Sequence, residues 1–286
     1  MKKSTLALML LAAPLGAHAQ FATELKSSEV VPGIHMIEGA DGFGGGNVAL
    51  LTGDERIVLI DDFIEPLSGK LIEIASGIAG SPVDFVINTH VHGDHTGGNA
   101  VLAGEGATIV AHDNIRTRML AAEDVNAASL PVITFSDTVT FHLNSTSIYV
   151  FHVETAHTDG DAIIQFPDVN VIHTGDVWFN GLFPFIDLDS GGTVDGYIAA
   201  QKKIIAMAGE DTKIIPGHGP LGDREGLQRT VDMIIAAQAK VKALVDSGLS
   251  ADEIVAENAL AEFEPWSWNF ITTERMTRTL FRDLTE

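Results

Sequence analysis

Cysteine is absent from all 286 residues, so no disulfide can hold this chain together and no thiolate can bind a metal. Any metal here must rest on histidine and carboxylate. Basic residues are scarce as well, with 17 Lys and Arg against 39 Asp and Glu and a formal net charge of −22. They form no cluster. That excludes a surface for nucleic-acid phosphates and disfavours anionic lipid. There is no Gly-x-Ser-x-Gly elbow for a serine nucleophile. The chain also lacks internal repeats, low-complexity linkers and charge blocks.

The long apolar run is confined to the start. Leu6 to Gly16 follows Lys2 and Lys3 and precedes Ala17-His18-Ala19, a small-x-small pattern. The run is shorter than the roughly 20 residues that span a bilayer, and the three features together read as a signal peptide over residues 1–19. The expectation is one α/β domain over residues 20–286, periplasmic or secreted, with no membrane contact once the leader is cleaved.

Strands are expected at Val30–Glu38, Asn47–Thr52, Arg56–Asp61, Val83–Asn88, Thr108–Ala111, Val139–Leu143, Ser147–Val153, Ala162–Gln165, Val169–His173 and Lys213–Ile215. Helices are expected at Ser68–Ala79, Asn114–Ala122, Val194–Ala208, Arg224–Ser247, Ala251–Ala256 and Asn269–Leu284. Unbroken apolar runs such as Ile57-Val58-Leu59-Ile60 suit strands covered on both faces, which favours stacked α/β layers. Two glycine- or aromatic-rich loops stand apart: Gly39–Gly46, with Phe43, and Trp178–Gly192, with Trp178 and Phe183. Phe43, Trp178 and Phe183 are expected to line a substrate site.

The chemistry is concentrated after Val83–Asn88, in Thr89-His90-Val91-His92-Gly93-Asp94-His95. His90 and His92 are two apart, so in extended backbone their rings share a side and can share one ion. Beyond Gly93, where the chain can turn sharply, Asp94 and His95 point to a second position. Zinc takes about four ligands, so neither pair is complete alone. His157, Asp176 and His218 are candidates to complete them, because each follows an apolar run and is flanked by Gly or Pro. His35, His112, His142, His152 and His173 fit regular elements and are read as structural.

The run His90-x-His92-x-Asp94-His95, followed by His157, Asp176 and His218, resembles the metal signature of the metallo-β-lactamase superfamily. Asp61, with Asp62 beside it, resembles the family's first motif, a carboxylate that buttresses the histidine loop. The resemblance covers nearly the whole chain from about Val30. It implies a four-layered αββα sandwich, with two Zn2+ per chain. His90, His92 and His157 would hold one zinc, Asp94, His95 and His218 the other, and Asp176 would bridge them. A bridging aspartate is the pattern of the glyoxalase II and lactonase branches, whereas an exported chain with Ala156-His157-Thr158 looks more like the class B β-lactamases.

The resemblance further implies hydrolysis of an acyl bond by metal-bound hydroxide, with Asp94 orienting the nucleophile and passing its proton. The partner is then a small molecule with a cleavable carbonyl. A β-lactam is the leading reading, and a lactone or glyoxalase II-like thioester the alternative. A mononuclear iron persulfide dioxygenase also uses such a ligand set. The flavin-linked diiron branch places a carboxylate where this chain has His92. Tyr149 and Tyr197, as the sole tyrosines, are the available phenolic donors to an oxyanion, and both fall in regular elements.

Overall fold

The computed structural model describes residues 23–40 and 45–286. The expected leader and Phe43 lie outside the described residues. β1 (Leu25–Val31) and β2 (Ile34–Gly39) form a hairpin, where a single strand was expected at Val30–Glu38; Gly33, at φ 84°, makes the turn that divides it. β3 (Val48–Leu51) and β4 (Val58–Ile60) continue the sheet antiparallel. β5 (Phe85–Ile87), β6 (Thr108–His112) and β7 (Ile133–Phe135) then add in parallel, giving seven strands in chain order.

A second sheet has the order β12-β11-β10-β9-β8, from β8 (Thr138–Leu143), β9 (Thr146–His152), β10 (Ala162–Phe166), β11 (Val171–His173) and β12 (Lys213–Ile215). Its β11–β12 pair is parallel and the others are antiparallel. β7 has no counterpart in the sequence reading, since its exposed Ile133 and Thr134 give no buried alternation.

Three apolar clusters define the layers. Val58, Ile60, Ile87 and Val110 of the first sheet meet Val150, Ile164 and Ile215 of the second between the sheets. Leu59, Val86 and Ile109 turn the other way, against Leu71 and Ala75 of α1 (Ser68–Ala79) and Leu102 of α3 (Asn99–Gly104). Both faces of the Ile57–Ile60 run are therefore covered. On the far side, Phe151, Ile163, Ile172 and Ile214 pack under α5 (Val194–Met207), α6 (Arg224–Asp246), α7 (Ala251–Ala256) and α8 (Thr273–Thr285). The result is an αββα sandwich. The short α2 (Gly93–Thr96) and α4 (Asp113–Ala121) complete the elements. α8 starts at Thr273, where Asn269 was expected, because Thr272 caps it by accepting a hydrogen bond from Arg275 N.

Candidate metal centre

β4, β5, β11 and β12 all end at one edge of the sandwich, and the loops leaving them meet there. β5 gives way to buried Asn88, Thr89 and His90, then to α2, whose N-cap is His92. His157 stands between β9 and β10, Asp176 just beyond β11 and His218 just beyond β12. All seven expected donors converge. One group comprises His90, His92, His157 and Asp176, the other Asp94, His95 and His218, and within each the donor atoms lie within 4.8 Å of one another.

Asp176 stands between them. Its Oδ1 is 3.1 Å from His95 Nε2, and its Oδ2 is 3.4 Å from His218 Nε2, 3.6 Å from His157 Nε2 and 3.7 Å from His90 Nε2. Gly217 permits this position, since any Cβ there would run into Asp176 Oδ1.

The outer nitrogen of each buried ring is spoken for, and that fixes what the inner one can do. Thr89 N and Oγ1 both donate to Asp61, at 2.7 Å each, which leaves Thr89 Oγ1 as acceptor for His90 Nδ1 at 3.0 Å. His95 Nδ1 donates to Asp61 Oδ2 at 2.7 Å, and His157 Nδ1 to the Phe185 carbonyl at 2.6 Å. His92 Nε2 donates to Asp187 Oδ2 at 2.9 Å. In these four rings the nitrogen that faces inward is thus the one free to hold a lone pair toward a metal. His92 Nδ1 and His157 Nε2 face each other at 2.9 Å. His90 Nε2 is buried with no hydrogen-bond partner, and His95 Nε2 and Asp176 Oδ1 have only each other, at 3.1 Å, an arrangement that a cation relieves.

Charge points the same way. Burial, reinforced by the neighbouring rings, holds His90 well below its ordinary value and His157 down at about 4, despite the pull of Asp176. Those two rings are neutral donors. Against the cost of burial, Asp176, Asp94 and Asp61 hold His95 well above its usual value, and Asp176 and Asp94 lift His218 to about 9. Asp94 is lowered to about 2 and Asp176 well below the carboxylate range, since the histidines outweigh their desolvation. In the second group the protons on His95 and His218 thus balance the carboxylates, a role that a divalent cation would take over. A His/Asp metal site is present, and its donor set fits a divalent metal.

Asp61, at φ 64°, is the carboxylate under the histidine loop. Asp62 has a separate task, accepting from Gly98 N at 2.9 Å. Two expected substrate contacts need correction. Trp178 is fully buried and donates through Nε1 to Thr230 Oγ1 of α6 at 2.9 Å, and Phe183 is fully buried in the same cluster. Both turn inward, and Phe179 and Phe185 take the places on the site's cavity. The sequence reading passed over Asp187, the Phe185 carbonyl and Asp161. Asp161 accepts from His157 N, Thr158 N and Thr158 Oγ1 and so fixes the His157 turn. The Thr-x-x-Asp spacing was a local signal for Asp161. Asp187 and Phe185 had none, because they act across the fold. Among the described residues, His35, His112, His142, His152 and His173 stand outside both groups; His173 Nε2, for example, bonds the Asn47 carbonyl.

The metallo-beta-lactamase superfamily model matches residues 41–218, more than half of the chain. A metallo-beta-lactamase type 2 of Bacillus cereus is 25% identical over 193 residues, covering 66% of this chain and 72% of its own. A hydroxyacylglutathione hydrolase of a Polaromonas species is 30% identical over 158 residues, and the match covers 54% of this chain and 56% of the relative. Among solved structures, a metallo-beta-lactamase from Pontibacter korlensis superposes with a TM-score of 0.64 at 20% identity, over 74% of this chain and 99% of that one. The αββα layers and the converged donors agree with that match, and the chain belongs to the metallo-β-lactamase superfamily as an enzyme of its hydrolase fold.

Proposed function

We propose that this hydrolase is exported and opens an acyl bond in a small molecule, with two zinc ions held by His90, His92 and His157 and by Asp94, His95 and His218, Asp176 reaching both. The observation that carries the reading is the convergence of seven histidine and aspartate donor atoms around Asp176, four of the rings being held from outside with one nitrogen turned inward. Zinc bound there would supply a water activated for attack near neutral pH and a Lewis acid for the carbonyl. The protein's own part is positional. Asp61, Thr89, Asp187 and the Phe185 carbonyl hold the rings in the required tautomers. Asp94, part-exposed to the cavity and ionised at neutral pH, is placed to hold the attacking water's proton at Oδ2 and return it to the leaving group.

The Bacillus cereus relative is named a β-lactamase, which supports β-lactam opening as the leading activity. A second reading, a lactonase or thioesterase, is favoured by the carboxylate of Asp176 between the two groups and by the hydroxyacylglutathione hydrolase relative. Protein loaded with two equivalents of zinc should turn over a chromogenic β-lactam, or else a lactone or glutathione thioester. Refusal of all three would overturn the hydrolytic reading. Iron at one per chain with oxygen uptake on a persulfide would assign a dioxygenase in its place.

A further inference from the structure

The metal groups open into a cavity of about 1340 Å³, one wall of which is aromatic. Phe185 stacks on His92 of the first group, with ring centres 5.6 Å apart, and Phe179 stacks on His218 of the second at 4.8 Å. Phe270 and Trp268 close the gap, Phe270 against Phe185 at 5.4 Å, Trp268 against Phe270 at 5.6 Å and against Phe179 at 6.1 Å. The wall is thus anchored on one histidine of each group.

The wall is also fixed in place. Trp268 Nε1 donates to the Phe183 carbonyl at 2.9 Å, and Phe183 N donates to the Trp266 carbonyl at 2.7 Å. Behind the rings, outside the cavity lining, the Arg275 guanidinium lies 4.0 Å from the Phe270 ring centre and 5.1 Å from that of Phe185. Phe270 nevertheless keeps 46% of its surface exposed, which is unusual for a side chain so firmly mounted. Trp268 and Phe270 both lie beyond residue 218, outside the residues that the family model matches.

The cavity offers little to an anionic substituent. Among the described residues the one Lys or Arg that lines it is Lys26, already ion-paired with Glu38 at 3.3 Å. Asp41-Gly42-Phe43-Gly44 adds none.

We infer that Trp268 and Phe270 select substrates whose reacting carbonyl carries an uncharged, apolar acyl group, seated on the Phe179–Trp268–Phe270–Phe185 wall. This rests on the acyl-hydrolase reading above and narrows it to a substrate class. Burying a methylene is worth roughly fourfold in affinity at most, and a wall open on one side realises part of that.

The test has two arms. Zinc-loaded protein is assayed on 4-nitrophenyl acetate, butyrate and hexanoate and on the mono-4-nitrophenyl ester of adipic acid. Metal-stripped protein is titrated calorimetrically with N-methylhexanamide, which cannot turn over. kcat/KM should rise at least about tenfold from acetate to hexanoate and fall again for the adipate, whose chain ends in a carboxylate. The hexanoate-to-acetate ratio should flatten in Phe270→Ala and Trp268→Ala, and the amide should bind wild type at least about fivefold tighter than Phe270→Ala. Turnover that ignores chain length, or amide binding that ignores Phe270, overturns the inference. Amide binding with no ester turned over leaves the apolar wall standing and sinks the hydrolytic reading alone.

Discussion

Asp187 Oδ2 accepts a hydrogen bond from His92 Nε2 at 2.9 Å, across 95 residues of sequence. The same short segment offers the Phe185 carbonyl to His157 Nδ1 and donates a backbone bond from Asp187 N to the His157 carbonyl. Two rings of the first group are thereby aimed from one loop. Removing the Asp187 carboxylate frees His92 to change tautomer and turn its lone pair outward. Partners of this kind are worth about 10–100-fold in metal affinity. Asp187→Ala should therefore weaken zinc at the first group by that factor in chelator competition. Asp187→Asn, which keeps an acceptor oxygen, should lose less. Equal affinity in all three proteins would show that the contact orients nothing.

The convergence of His157, Asp176 and His218 on the histidine loop was legible in the sequence because each follows an apolar run, and such stops are where a chain leaves a sheet. Helix α1 was legible to the residue, since its apolar face repeats at helical spacing up to Gly80, which takes φ 74°. Trp178 and Phe183 were misplaced for a complementary reason. Adjacency to Asp176 shows that a residue is near the site but not which way it faces, and Trp178 faces Thr230 of α6. The aromatic wall was equally hidden. Asn269 and Phe270 continue a helix-like pattern in sequence, and only the backbone bond from Trp268 N to the Ile271 carbonyl shows that the chain turns there.

Asp61 takes three hydrogen bonds from fully or almost fully buried donors, Thr89 N, Thr89 Oγ1 and His95 Nδ1. Asp61→Ala strands all three, and a buried donor left unsatisfied costs about 1–3 kcal/mol. Urea unfolding of the metal-free protein should show a loss of at least that size. Asp61→Asn should fall between, because asparagine tolerates the left-handed backbone at φ 64° yet turns an NH2 toward one of the donors. An unchanged unfolding midpoint in the alanine variant would refute the buttress role.

Gly46 touches the second group from its other side. A Cβ at this position would run into the His95 ring, which cannot retreat because it is fully buried and bonded to Asp61 behind. Gly46→Ala should therefore displace His95 while leaving the His90, His92 and His157 rings in place. Elemental analysis after zinc loading and desalting should give close to half the wild-type metal content. Full content in a folded variant would mean that the glycine is incidental to the site.

His112 supplies a pH dependence apart from the metal centre. Its Nδ1 accepts from Asn114 N and caps α4, while Nε2 donates to the Ser136 carbonyl at 2.7 Å. The first bond requires a neutral ring, whereas the second is open to either form and by itself favours the proton. Burial, joined by the stacked ring of His152, holds His112 below its ordinary value. The unfolded chain takes up the proton at about 6.5, so over the interval below that value the unfolded state binds more protons than the folded one. Stability from this residue is then full above about pH 6.5 and is lost as the pH falls through the depressed folded value, with a slope of at most about 1.4 kcal/mol per pH unit. His112→Asn keeps a capping acceptor that does not titrate. With zinc saturating, the gap in unfolding free energy between wild type and variant should narrow as the pH drops from 7 to 5, and a gap constant across that range would assign the acid sensitivity to other groups.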